Sequence, residues 1–328
     1  MMLHRLVGWA LLVVLGGGAV GTAWAQPPAQ TATPAQAMPT ATPTQATVFA
    51  TPEEAAAALV AAARAGNVAE MHDVLGPNSV ALLYSGDPVA DEQAREKFVA
   101  AYDAKHALTQ GAGGRMVLTV GANDWPLPIP IVKEGGQWHF DSLQGVQDLI
   151  DRRIGRNEIA AIRTALAYVD AQKLYFTMAR AQGAGMYAQR LVSRPGQHDG
   201  LYWPAVAGAP ESPLEPLVDQ AVEEGYPGAD RGGKKLPYQG YYFRILTGQG
   251  DSAPGGALNY VVDGRMTRGF ALIAWPAIYG ASGIMTFEVN QDDVVFQKDL
   301  GPATVARVRA VTLFNPDLSW TRVDLVGP

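Results

Sequence analysis

Cysteine is absent from the 328 residues. That absence excludes disulfides, Cys-ligated zinc, a thiol nucleophile and lipid attachment at an N-terminal cysteine. Blocks of like charge are missing too: 25 Lys and Arg are scattered against 31 Asp and Glu, a net charge of −6. A mildly acidic chain without a basic run is poorly suited to nucleic acid, so no nucleic-acid partner is expected. With 48% hydrophobic and 17% charged residues the chain is neither disordered nor a multi-span membrane protein. Its length allows two domains, each burying its own core.

Catalytic signatures are equally scarce. Outside the first 25 residues the histidines are His72, His106, His139 and His198, with no i, i+4 pair and no His-Glu-x-x-His. His139 and Asp141 share a strand face and could contribute two metal ligands, but a half-exposed sheet-edge histidine accounts for the same pattern. Asn290, Asp292 and Asp293 lack the spacing and the glycine of a calcium loop and read as a hairpin turn. Gly280-Ala281-Ser282-Gly283 misses the spacing of a nucleophile elbow. Gly248-Gln249-Gly250 is not followed by a helix whose N-terminus could hold a phosphate. Glu223 and Glu224 are adjacent on a helix and diverge by about 100°, too far to flank one glycosidic bond. No catalytic residue, metal or cofactor is expected.

What is present begins with a leader. His4 and Arg5 precede an apolar stretch over residues 6–20, and Ala23-Trp24-Ala25 supplies a small–x–small cleavage site. Residues 1–25 thus read as a signal peptide cut between Ala25 and Gln26. The apolar stretch is shorter than the ~20 residues a membrane span needs, so no anchor remains after cleavage. The expected destination is periplasmic or secreted. Residues 26–48 contain only Pro, Ala, Thr, Gln, Met and Val, and their prolines favour a disordered, extended spacer.

Residues 49–150 form the first expected domain. Thr51-Pro52-Glu53-Glu54 is a helix start with a cap, an N1 proline and a capping-box carboxylate. Asn67 caps a second helix, with Glu70 three residues on. A third is expected over 91–108, with Ala94, Phe98, Ala101 and Tyr102 on one face. Period-two alternation at Met116, Leu118 and Val120 then marks a half-buried strand. Pro126, Pro128 and Pro130 all lose donors on one side, which predicts an edge strand. Gln137 to Asp141 follows as another strand, with Trp138 and Phe140 on one face. Helices before a curved antiparallel sheet resemble the NTF2-like or cystatin-like cone. The resemblance implies a ligand pocket, with Trp125, Trp138 and His139 as its candidate residues.

Residues 151–328 form the second expected domain. Asn157 is expected to cap a long helix over 158–181, with Ile159, Ile162, Leu166 and Val169 at helical spacing. A Pro/Gly-rich excursion over 183–239 contains one expected helix at 214–224. Strands follow at 241–246, 259–262, 270–275, 284–289 and 294–298, and a last helix over about 302–313. Within the excursion, Arg194, His198, Asp199, Tyr202 and Trp203 combine the residue types that dominate binding hot spots. The same aromatics could instead pin the excursion to the sheet.

Gly240-Tyr241-Tyr242-Phe243-Arg244-Ile245-Leu246, Ala274-Trp275-Pro276, Tyr279 to Gly283 and Val294-Val295-Phe296 resemble the globular head of type IV pilins and pseudopilins. The chain from about Val48 onward also resembles an uncharacterised exported family of Gram-negative bacteria, domain-of-unknown-function family 2950. Asp199 to Pro204 and Asp299-Leu300-Gly301-Pro302 carry that resemblance. The preceding domain and the lack of an apolar helix extension argue against assembly into a filament core. The expected fold class is therefore α+β with two domains, the first cone-like and the second a pilin-head-like long helix on an antiparallel sheet. The expected function is a non-enzymatic binding or assembly accessory that contacts another envelope protein. The alternative is a periplasmic small-molecule binder or hydrolase using the first domain's pocket.

Overall fold

Thr51 opens the first helix as its surroundings predict: its side chain accepts the Glu54 N–H, and Pro52 occupies the first turn. The computed structural model describes residues 45–208, 210–227 and 236–324. The expected leader, its Ala25/Gln26 junction and most of the spacer lie outside these residues. The last spacer residues are docked, since Thr47 N donates to Asp73 O at 2.9 Å.

Four helices lead into the first sheet: α1 (Pro52–Arg64), α2 (Val68–Leu75), α3 (Val80–Leu83) and α4 (Pro88–Ala104). Asn67 caps α2 by accepting the Glu70 N–H. Helix α4 corrects the expected span of 91–108. Its cap is Asp87, with Pro88 in the first turn, and it stops before β1 (His106–Gln110) because residues 106–110 pair with the next strand. After β1 come β2 (Met116–Val120), β3 (Trp125–Pro126), β4 (Ile131–Glu134) and β5 (Gln137–Phe140). The sheet order is β1-β2-β4-β5, all antiparallel, with β3 also paired to β2.

The proline-rich run is not one continuous edge strand. Pro126 lies in β3, which among the described strands pairs with β2 alone, whereas Ile131 opens β4, which pairs with both β2 and β5. Leu127 N still donates to Leu118 O at 2.8 Å, while Asp141 N donates to Pro130 O at 2.9 Å. The missing proline donors therefore break the strand in two, and only its first piece, β3, keeps an unpaired side among the described strands. At the β5 edge, Trp138 exchanges two 2.8 Å backbone bonds with Phe49.

The long helix α5 runs Val146–Ala181, twelve residues earlier than Asn157 capping would give. Val146, Ile150 and Ile154 extend its apolar stripe at i, i+4, i+8 into the first hydrophobic core, and Ala161, Ala165, Tyr168 and Val169 continue it into a second. Asn157 is an interior helix residue, buried, whose side-chain amide donates to Ser282 O at 2.9 Å. Gly145 permits the abrupt start: its φ is +86°, and a Cβ there would lie 2.2 Å from Pro128 O. One helix thus serves both cores.

Beyond α5 the excursion carries α6 (Glu215–Glu223). Then follow β6 (Tyr241–Leu246), β7 (Gly248–Gln249), β8 (Leu258–Asn259), β9 (Val261–Val262), β10 (Arg265–Met266), β11 (Ala271–Pro276), β12 (Met285–Asn290), β13 (Val295–Asp299), α7 (Thr304–Ala310) and β14 (Thr321–Arg322). The main sheet has the order β14-β13-β12-β11-β6 and is antiparallel throughout. The expected strand at 259–262 is split at Tyr260, which is fully buried and donates its hydroxyl to Gln249. The last helix is shorter than 302–313. Arg244 ends it by donating to the Val308 and Val311 carbonyls, and Phe314 turns inward to be fully buried.

Helices packed on antiparallel sheets make the fold α+β. Among the described residues no helix is long and apolar enough to cross a membrane.

Candidate functional site

Helix α4 has an apolar face, yet none of its residues is fully buried. The reason is a cavity of about 640 Å³ between this helix and the rest of the first core. Leu59 of α1, Met71 and Leu75 of α2, Leu83 of α3 and Leu149 of α5 line it, with Phe98 and Ala101 of α4 opposite. Val120, Trp125, Leu127 and Ile129 complete the apolar wall from the broken β2–β4 region. An interior normally closes to crystal-like density, so an apolar recess of this size has the dimensions of a small-molecule pocket.

Its polar lining carries four cations, Arg95, Lys97, Arg153 and Arg156, against one carboxylate, Asp91. Gln93, Asn123, Asn157 and Gln239 line it as neutral polar groups. Arg153 donates to Ala281 O at 2.9 Å, to Leu82 O at 2.7 Å and to Ala81 O, three neutral acceptors. Burial lowers its guanidinium pKa, and the Asp91 charge opposes that shift. Burial raises the Asp91 carboxyl, against the Ser85 hydrogen bonds and Arg153. The recess therefore offers an acid more easily protonated than usual beside a cation held by backbone carbonyls.

Of the three residues expected to line a pocket in this half, Trp125 does so. Trp138 and His139 stand on β5, both half-buried, and neither lines the cavity; Trp138 lies under the Lys133 ammonium at 5.7 Å. The residues that sequence reasoning missed are Leu59, Met71, Leu83, Asp91 and Arg153. Only the α4 face carried a local signal, through Phe98 and Ala101.

The excursion residues meet, but mostly one another. Asp199 accepts from Arg194 N at 2.9 Å and Arg194 Nε at 2.6 Å, and Arg190 Nε lies 3.5 Å away. These donors hold its carboxyl below the usual range, the Arg194 backbone bond contributing most. Trp203 is 4% exposed, donates Nε1 to Pro210 O at 3.0 Å and carries His198 stacked 4.4 Å above it. Tyr202 sits between, half-buried, its backbone N–H donating to Leu191 O. Gly200 is required here, because a Cβ would fall 2.6 Å from the Val192 carbonyl carbon and from Ser193 N. Trp203 is buried within the second hydrophobic core.

Among the described residues no group of three His, Asp or Glu side chains converges as a metal site would require. Asn290 and Asp292 bond to each other across the β12–β13 turn at 3.0 Å.

An α+β protein with an apolar recess beneath a stand-off helix is thus the class that fold and site define. The chain belongs to the family described as protein of unknown function (DUF2950), whose model matches residues 46–323. No curated protein and no solved structure matches it.

Proposed function

We propose that this chain is an exported, non-enzymatic binding protein whose recess beneath α4 holds a small apolar molecule with one polar end. The stand-off of α4 carries the reading: an amphipathic helix that covers a cavity of about 640 Å³ instead of closing it. The wall supplies apolar contact, while Asp91, Gln93, Arg156 and Gln239 supply a few orienting groups. Support for export comes from the basic start, apolar stretch and Ala23-Trp24-Ala25 site of the leader. The first half suits an NTF2-like cone and the second a pilin-like head acting as the scaffold that positions α5. The alternative emphasis, contact with another envelope protein through Arg194, His198, Asp199, Tyr202 and Trp203, is less favoured. Trp203 and Asp199 are already engaged within the chain.

The test is thermal unfolding of the mature chain with decanoate and, as a neutral counterpart, decanol. Ligand at about a hundred times Kd adds about 2.7 kcal/mol to stability, a rise of several degrees in Tm. Trp125→Ala abolishes the rise, whereas Trp138→Ala retains it, because only Trp125 lines the recess. No ligand-dependent shift with either probe, or equal loss in the two variants, overturns the reading.

A further inference from the structure

A second concavity, of about 700 Å³, lies at the far end of α5 and belongs to none of the structure described so far as a binding recess. It is lined by Tyr175, Met186, Tyr187, Gln189, Arg190, Arg194, Asp199, Gly264 and Arg265. Three arginines therefore face one carboxylate in a chain whose net charge is −6. Such a local reversal of sign concentrates anions.

The cleft is assembled from separate segments and held by specific bonds. Tyr187 N donates to Met266 O at 2.7 Å, which fixes the β9–β10 hairpin against the excursion. Gln189 Nε2 donates to Gly264 O at 2.8 Å and so anchors the turn beside Arg265. Tyr175 of α5 donates its hydroxyl to His198 O at 2.9 Å, tying down the loop that carries Asp199.

The chemistry lies in how Asp199 uses its partners. Arg194 Nε and Arg190 Nε converge on the same oxygen, Asp199 Oδ2, at 2.6 Å and 3.5 Å. A guanidinium has five N–H donors, and the two Nη groups form a planar fork that matches carboxylate and phosphate oxygens. Because the carboxylate engages the inner Nε positions, the Nη forks remain for a ligand. The two side chains are 54% and 63% exposed, so those forks are accessible. The Arg265 backbone pairs with Val262, while its side chain has no hydrogen-bond or ion-pair partner among the described residues. One internal carboxylate thus orients two cations without saturating them, and a third lines the same cleft.

We propose that this cleft binds a small oxyanion bearing two or more closely spaced negative oxygens, such as a phosphate monoester or a di- or tricarboxylate. Arg190 and Arg194 receive it with their paired forks, and Arg265 adds a third cation from the β9–β10 hairpin. The site is distinct from the recess beneath α4, and neither depends on the other.

The experiment is isothermal titration calorimetry of the mature chain with glycerol 1-phosphate and with citrate, acetate serving as the singly charged control. At least one of the two polyanions binds saturably and acetate does not; which one binds identifies the phosphate or the carboxylate source. Arg265→Gln weakens that binding about tenfold, the effect of one charge-assisted hydrogen bond. It leaves the melting temperature unchanged, since the Arg265 side chain holds nothing else in place. Arg194→Gln weakens binding at least as much, and raising the salt weakens it in the native chain. Trp125→Ala leaves oxyanion binding intact, which separates this proposal from the apolar recess. Absence of saturable binding to both polyanions, or equal affinity in Arg265→Gln, overturns it.

Discussion

Replacing Asp87 by alanine is expected to remove roughly 3–6 kcal/mol of stability, because it strips a shared acceptor from three donors at once. Asp87 is fully buried. Its Oδ1 accepts the Ala90 N–H at 3.2 Å and caps α4, and its Oδ2 accepts both the Tyr226 hydroxyl and the Gly240 N–H at 2.8 Å. Those donors come from the first helical layer, the end of the excursion and the entry to β6. With alanine, each buried donor keeps its desolvation cost and loses its partner. Asn is the informative second variant: it keeps one acceptor oxygen at the cap or at the junction, not both, and loses about half as much. Urea unfolding of the native chain and both variants measures the difference. A loss under about 1 kcal/mol for Asp87→Ala would sink the idea that this carboxylate couples the two cores.

Glu288→Gln is expected to stabilise the protein at neutral and alkaline pH while leaving it nearly unchanged in mild acid. Glu288 sits on β12 at 2% exposure, opposite Ile273 of β11 and Phe296 of β13. The segment after α7 covers it, and Oε2 accepts only the Asn315 N–H, at 3.3 Å. Burial pushes its carboxyl up from 4.5 to about 7; the Asn315 bond and Lys298 oppose the rise, and Asp317 adds to it. The folded state therefore holds the proton more tightly than the unfolded chain. Stability is highest below the unfolded value near 4.5 and falls as pH rises towards about 7, then stays low. The total loss is about 3 kcal/mol. Gln keeps an acceptor for Asn315 and cannot ionise, so the variant lacks this slope. Asp91 contributes a change of the same sign, and Asp103, Asp199 and Asp317 contribute the opposite sign at lower pH. The readout is accordingly the difference between native chain and variant, by denaturant unfolding at pH 5 and pH 8. A difference that does not grow between the two pH values would overturn the assignment.

Much of the secondary structure was legible from short-range signals. Thr51 and Asn67 cap where their side chains can reach back to the third residue, and β6 runs Tyr241–Leu246 as its flanking glycines and aromatics indicate. The β12–β13 hairpin turns at Asn290 to Asp293, where Asp293 adopts φ +61°. Helix α4 starts three residues before the expected 91, at Pro88, because Asp87 and not the apolar periodicity sets its first turn. Tyr226 and Gly240, far away in sequence, claim the Asp87 carboxylate.

The same division holds for the sites. Trp203 and Arg194 were visible as residue types, but a tryptophan reads alike whether it recognises a partner or fills a core. Packing against the excursion, and Pro210 accepting its N–H, made it structural. The recess could not be read at all beyond Trp125 and the α4 face, since its wall draws on α1, α2, α3, α5 and the broken strand. The amino-acid sequence by itself determined the family, the α+β class, the caps of α1 and α2, and the β12–β13 turn. Tertiary structure alone decided that α5 begins at Val146, that the prolines interrupt a strand within the sheet, and which arginines share Asp199. Caps, turns and periodicity are set within a few residues, whereas a cavity, a buried carboxylate and a shared counter-ion exist only after distant segments meet and exclude water.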